Sequence, residues 1–487
     1  MFQQTDLDAP HFSRLGQQIV EQARTFLYEE RPIYRPLSQE QCMRWQYAAL
    51  PEQGLDPTRL LHEFRQMREH ATFGINHRRS YAYVGGGVSE WGVLASLFAA
   101  ALNANCVGGD QSATYIELAV IRWLSELSGF SLAPSGAGLL TSGSSQATLT
   151  ALAAARQVLA RRLGQDVRAQ GLQGLPPFVI YASDQTHTSV QQQANLLGLG
   201  MIRLIASNER FQICLDALQE AIKRDKRQGR LPCCVVANAG TTSTGAIDPL
   251  NALADISQKH NLWLHVDGAY GSFGWMDERI RHSFQGIERA HSLSLDSHKW
   301  LGAPYENGCL LVRNRQWLRD AFAYPTPAYL STIENGHSHF NDLGFQVSRA
   351  PRALVLWTVL RSLGRSGVRS LVCRHRDLAS LLAAGIACIP GMRVLAPHDL
   401  STVCFRYEPG RLSGDENQIR ACNQEILQEI RHIAFLSTTI LRGQMALRAC
   451  VLHPHTDPGD IHLCLDALRT AVAHQDARKG ETCGSYE

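Results

Sequence analysis

Apolar positions in this chain follow two rhythms. Over residues 12–28 and again over 51–67 they recur at helical spacing, joined by a proline-rich link, Arg31-Pro-Ile-Tyr-Arg-Pro36. The first 85 residues are therefore expected to be helical, polar on one side and suited to wrapping a partner subunit. Gly85-Gly-Gly87 punctuates the chain before a small-residue helix over about 90–102. From about 110 to 315 the rhythm alternates. Helical periodicity over 116–127 and an alanine-rich helix over 146–163 give way to short apolar runs at 178–182, 201–205, 233–237, 262–266, 292–295 and 309–312. Helical stretches at 215–226 and 250–260 separate several of them. Such alternation, with strands apolar throughout, predicts an α/β fold: a mostly parallel sheet covered on both faces. A long helix over about 350–364 then leads to mixed text, with strands near 401–407 and 445–452 and a frayed end after Ala477. The expected organisation is a helical N-terminal segment (1–85), a large domain (86–365) and a small C-terminal α+β domain (366–487).

Composition changes this picture little. Lys plus Arg number 47 against 44 Asp plus Glu, without a basic run or acidic tail, which gives no reason to expect nucleic acid or a membrane surface as partner. Apolar stretches such as 91–102 are too short to span a bilayer. The thirteen cysteines show no CxxC pair and no zinc-ligand spacing, so no metal is expected. Cys233 and Cys234 lie inside an apolar run and read as buried thiols. With no basic and apolar leader at Met1, the expected setting is cytoplasmic.

Chemistry enters at two strand ends about thirty residues apart, Leu264-His-Val-Asp-Gly-Ala-Tyr270 and Leu295-Asp-Ser-His-Lys-Trp-Leu301. Ligands of parallel sheets sit at the carboxyl ends of strands, and this pattern delivers an acid, Asp267, beside a lysine in a turn, Lys299. Alone, the first is an ordinary turn residue and the second an ordinary solvated cation. Together they are what pyridoxal phosphate requires: an amine to form a Schiff base with the aldehyde, and a carboxylate to keep the ring nitrogen protonated. Upstream, Thr141-Ser-Gly-Ser-Ser145 opens into a helix, which makes either a plain N-cap or a phosphate cradle. His187 follows another strand end and is suited to stacking on a flat ring. Ala239-Gly-Thr-Thr-Ser-Thr-Gly-Ala246 offers small hydroxyls at a third, or an ordinary Gly-Thr turn.

These loops occur in the order of one family. The chain resembles the group II pyridoxal-phosphate decarboxylases, which act on aromatic amino acids, histidine or glutamate and share the aspartate aminotransferase-type fold (fold type I). The resemblance spans nearly the whole chain, from Arg31-Pro-Ile-Tyr and Asn76-His-Arg-Arg-Ser-Tyr-Ala-Tyr-Val84 through Leu102-Asn-Ala-Asn105 to Ala446-Leu-Arg-Ala-Cys450. His265-Val-Asp267 and His298-Lys-Trp300 are its most specific parts. It implies Lys299 as the Schiff-base lysine, Asp267 as the ring-nitrogen partner, and His187 and Ala269 on the two ring faces. Ser144, Ser145 and His298 would hold the phosphate, with Thr242 and Asp296 lining the cofactor. Within Pro327-Ala-Tyr-Leu330, Tyr329 matches the tyrosine that protonates the carbon losing carbon dioxide, on a segment flanked by Pro325 and by Asn335-Gly-His-Ser338.

The resemblance thus implies a homodimeric carboxy-lyase that converts an L-amino acid, with aromatic ones foremost, to its amine and carbon dioxide. Three stretches depart from the family pattern where substrate is contacted: Val84-Gly-Gly-Gly87, Asn105-Cys-Val-Gly-Gly-Asp110 and Ser348-Arg-Ala-Pro-Arg352. Gly268 and Ser297 replace the commoner alanine and proline. Other readings stay open here: decarboxylation coupled to aldehyde formation, transamination, a lyase reaction, or a cofactor-binding protein without catalysis.

Overall fold

The computed structural model describes residues 7–70, 74, 76–325, 340–412 and 414–483. Its centre is a seven-stranded sheet of β1 (Ala137–Thr141), β2 (Phe178–Ser183), β3 (Met201–Ile205), β4 (Leu231–Asn238), β5 (Trp263–Asp267), β6 (Ser292–Asp296) and β7 (Gly308–Val312). The strand order is β1-β7-β6-β5-β4-β2-β3. β7 is antiparallel to both neighbours and the remaining pairings are parallel. Every residue of β2, β6 and β7 is buried, the burial expected where helices cover both faces. The alanine-rich helix Ser144–Arg162 packs across β4 to β7, its small side chains letting backbone lie close to the sheet.

A second sheet, antiparallel, has the order β10-β11-β9-β8, from β8 (Met392–Val394), β9 (Thr402–Tyr407), β10 (Ser437–Leu441) and β11 (Gln444–Cys450). With the helices Glu416–Ile430 and Pro458–Cys483 it forms a small C-terminal domain with its own apolar core. Three details differ from the sequence pattern. β1 is an unforeseen edge strand, since Gly138 interrupts its apolar run. Lys299 sits in a one-turn helix, Ser297–Trp300, rather than a turn. The last helix continues to Cys483, beyond the fraying expected after Ala477. The helical run Arg352–Ala387 does break at Gly364, where φ is 63°, and a further helical stretch follows the break.

The N-terminal helices Ala9–Tyr28, Gln39–Gln46 and Pro57–His70 lie outside these cores, and Ala9–Tyr28 buries none of its residues. No described helix is long and apolar enough to cross a membrane.

Candidate active site

β4, β5 and β6 end at one edge of the large sheet because their register matches: Asn238 pairs with Asp267, and Asp267 with Ser294. The loops leaving these ends surround a cavity of about 400 Å³. Its wall contains Ser144, Ser145, His187, Thr242, Asp267, Ala269, Asp296, His298 and Lys299. Nine residues singled out along 156 positions of sequence (144 to 299) therefore meet in one place. Tyr329, Pro327 and Asn335-Gly-His-Ser338 lie outside the described residues.

Each side chain has a definable local cause. Asp267 Oδ1 accepts from Ala269 N at 3.1 Å and from Ser294 Oγ at 3.4 Å, which turns the carboxylate toward the cavity. Asp296, buried at the end of β6, accepts from Ser144 N at 2.6 Å at the start of helix Ser144–Arg162. That places a carboxylate where the helix dipole is positive. The same carboxylate lies 3.3 Å from Lys299 Nζ and 3.7 Å from His298 Nε2. Burial lowers the His298 imidazole below its ordinary value, against the opposing pull of Asp296. His187 Nδ1 accepts from Ser189 N at 3.2 Å and lies 2.8 Å from Ser189 Oγ, fixing the ring at the cavity rim. Close approach of the backbones matters as well: a Cβ on Gly308 would stand 2.5 Å from Gly143 Cα and 2.9 Å from Asp296 Oδ1.

Asn238, Tyr270, Tyr305 and Glu306 also line the cavity and escaped the sequence reading. Asn238 was within reach, since β4 extends one residue past its apolar run. Its side chain donates to Thr186 Oγ1 and to the buried Asp248 carboxylate. Tyr270 stacks on Trp300 at 5.3 Å, and its hydroxyl bonds Ser401 and Thr402, joining the cavity to the small domain. Tyr305 and Glu306 follow Lys299 in an irregular loop that carries no pattern.

The matched family model, described as pyridoxal-dependent decarboxylase conserved domain, spans residues 40–408. The chain belongs to that family. It is 34% identical over 467 residues to an aromatic-L-amino-acid decarboxylase of Bacillus atrophaeus, covering 94% of each chain. It is 32% identical to L-2,4-diaminobutyrate decarboxylase of Rhizobium meliloti (strain 1021), over 86% of this chain and 83% of that one. The crystal structure of Catharanthus roseus tryptophan decarboxylase in complex with L-tryptophan matches with TM-score 0.85 at 25% identity, over 96% of this chain and 99% of the other. The protein is a pyridoxal phosphate-dependent amino-acid decarboxylase of fold type I.

The residues present fit that cofactor. Two buried polar atoms of cavity-lining residues, Ser144 Oγ and His298 Nδ1, have no hydrogen-bond partner, and both suit phosphate oxygens. Lys299 would supply the amine and Asp267 the acid. The departures from the family pattern also find physical reasons. A Cβ on Gly86 would meet Leu452 O at 2.6 Å and Lys299 O at 3.0 Å, and one on Gly87 would collide with the His453 ring. The glycines thus serve close packing behind Lys299 and do not line the cavity. Arg349 is a buried structural group, paired with Glu117 at 2.5 Å and donating to the Cys106 and Leu140 carbonyls. With Asn105 and Arg352 it also lines a neighbouring cavity of about 640 Å³ that shares Tyr305 and Glu306 with the first.

Proposed function

We propose that Lys299 holds the cofactor aldehyde, that Asp267 keeps the proton on the ring nitrogen, and that His187 and Ala269 flank the ring. Ser144, Ser145 and His298 bind the phosphate, and Thr242 and Asp296 complete the lining. Bound pyridoxal phosphate supplies an electron sink for the pair released when the Cα–carboxylate bond breaks. The chain's own residues orient that bond and exclude water around it. Lys299 yields its place to the substrate amine, its Nζ held 3.3 Å from the Asp296 carboxylate. Tyr329 delivers the proton to Cα. The observation that carries this reading is the meeting of all nine described candidates in a single cavity.

The substrate we infer is an aromatic L-amino acid, supported by the decarboxylases of Bacillus atrophaeus and Catharanthus roseus. A basic amino acid is the second reading, favoured by the L-2,4-diaminobutyrate decarboxylase relative and by the exposed Glu306 carboxylate at the cavity, which lies 3.6 Å from Arg352. Carbon dioxide release and product mass across a panel of aromatic, basic, acidic and sulfur-containing amino acids decide between them. Amine from tyrosine or tryptophan is the expected result, and release only from diaminobutyrate would reverse the order. Tyr329→Phe should divert product toward aldehyde, and unchanged amine output would remove that residue from the mechanism.

A homodimer is part of the same proposal. Trp91, Leu94, Leu97, Phe98 and Leu102 leave an apolar stripe exposed on helix Glu90–Leu102, more than an isolated soluble chain usually presents. Light scattering that finds a monomer with bound cofactor would contradict it. The division at 85 and 365 is retained, and the second boundary is supported by the break at Gly364 in the helical run Arg352–Ala387. A cytoplasmic setting suits buried thiols such as Cys106, Cys233, Cys234 and Cys309, none of them in a disulfide. Fractionation of cells tests it.

A further inference from the structure

Behind Asp267, buried polar groups form an unbroken row into the sheet. Trp263 Nε1 donates to Ser292 Oγ at 2.8 Å, and Ser292 Oγ lies 2.8 Å from His265 Nδ1. His265 Nε2 lies 3.2 Å from Thr148 Oγ1. Thr148 Oγ1 donates to Ser294 Oγ at 3.4 Å, and Ser294 Oγ donates to Asp267 Oδ1 at 3.4 Å. All four intermediate residues are buried, and none of them faces the cavity wall.

The two ends set the direction. An indole N–H can only donate, and an ionised carboxylate can only accept. Ser294 spends its one proton on Asp267 and Thr148 spends its own on Ser294, so His265 donates to Thr148 from Nε2 and accepts at Nδ1 from the Ser292 hydroxyl, which itself accepts from the indole. The imidazole then carries its proton on Nε2 and donates to Thr148, whose hydroxyl points on to Ser294 and so to Asp267. Every proton in the row is directed at the carboxylate. We propose that this row is a directional donor chain that holds the Asp267 carboxylate aimed at the cavity, with His265 in its Nε2–H tautomer as the positioning residue. The inference rests on the reading of Asp267 as partner of the cofactor ring nitrogen.

Two physical points support it. Burial pushes the His265 imidazole down to about 3, so Nδ1 remains an acceptor throughout the neutral range. In a dry interior, aligned hydrogen bonds polarise one another, so a donor two or three links away still acts on the carboxylate. The sequence shows why the row exists at all: β6 reads Ser-Leu-Ser-Leu-Asp, which sends Ser292, Ser294 and Asp296 to one face. Parallel register then sets Ser292 opposite His265 and Ser294 opposite Asp267.

The test compares Thr148→Val, which removes one hydroxyl at nearly constant shape, with Ser294→Ala and Asp267→Ala. The readouts are the Kd for pyridoxal phosphate and the visible absorption of the bound cofactor as a function of pH. Thr148→Val and Ser294→Ala should each raise Kd about tenfold and displace the pH midpoint of the band. His265→Gln, which keeps a donor near the Nε2 position, should restore both relative to His265→Phe. Thermal unfolding of the same proteins separates a packing role. A lower Tm for Thr148→Val and Ser294→Ala with unaltered Kd and band, while Asp267→Ala changes both, would overturn the chain and leave the Asp267 reading intact. Unaltered Kd and band in Asp267→Ala would overturn the Asp267 reading, and the chain with it. Should His265→Phe fail to fold, the two hydroxyl variants decide alone.

Discussion

In the large sheet the buried polar side chains of β5 and β6 form a row that runs toward the cavity, whereas in the small sheet the buried arginines of β9 and β11 turn to neighbours on the same domain. His265, Ser292 and Ser294 belong to a row ending at Asp267. Arg406 on β9 instead meets Glu416, and Arg448 on β11 donates to Ser437. Both sheets bury polar groups that an apolar core would not tolerate unpaired. In the first the partners converge on the cavity; in the second the arginines close locally. Substitutions in the two sheets should therefore separate chemistry from stability.

The sharpest break of that contrast is Lys299→Ala. It removes the cation beside Asp296 and the amine at the cavity wall without disturbing either core. Decarboxylation should fall by ~10³-fold or more, and cofactor should be lost on gel filtration, with urea unfolding little changed. Retained activity would sink the assignment.

Next in size is Arg349→Met, which touches the large sheet without touching the cavity. Arg349 and Glu117 are both almost wholly buried, and between them they also bond the Leu140 amide and carbonyl on β1. Removing the cation strands a buried carboxylate, which typically costs about 3–5 kcal/mol. Chemical unfolding would register this directly. A loss under 1 kcal/mol would mean that Glu117 finds another partner.

Acid should loosen the fold before it affects the surface. Burial lowers His265, His375 and His453 to about 3, and His77 and His291 to about 4. Unfolded, each would take up a proton near the ordinary histidine value of about 6.5. Below that value the unfolded state binds more protons, so stability is full above pH ~6.5 and falls as pH drops toward 4. Each imidazole contributes up to ~1.4 kcal/mol per pH unit across that window. Unfolding free energies measured at pH 7.5, 6 and 5 give the slope, and a flat profile would show that these histidines are protonated in the folded protein.

How much of this was readable beforehand depended on whether a signal was local. Asp267 and Lys299 stand where apolar runs end, so strand-end logic finds them in the sequence alone. The seven-stranded sheet follows from apolar runs for six of its strands, and β1 fails because Gly138 breaks the run. The hydrogen-bonded row was out of reach. His265, Ser292 and Ser294 are visible as letters, but their meeting needs the register of β5 on β6 and the approach of Thr148 from a helix more than a hundred residues earlier. Gly85-Gly-Gly87 stands out in the text only as a departure from the family pattern, and the His453 ring packed against Gly87 supplies a reason that the sequence alone does not show.

The smallest effect is expected in the small sheet, at Arg406→Met. Arg406 is fully buried, with Nη2 2.8 Å from Glu416 Oε2 and Nε 3.7 Å from Glu408 Oε2. Its Nε and Nη1 have no hydrogen-bond partner, so the guanidinium is only partly compensated for leaving water. Both carboxylates reach solvent, and losing the arginine leaves neither of them buried and alone. Methionine occupies most of the vacated length with a flexible apolar chain. Stability should therefore move by no more than ~1 kcal/mol in either direction, against the larger loss at Arg349, and kcat/KM should stay within about twofold. A loss of stability as large as that of Arg349→Met would mean that pairing in the small sheet is as demanding as in the large one. A fall in kcat/KM at unchanged stability would mean that the small sheet reaches the cavity, with Tyr270 and its bonds to Ser401 and Thr402 as the route.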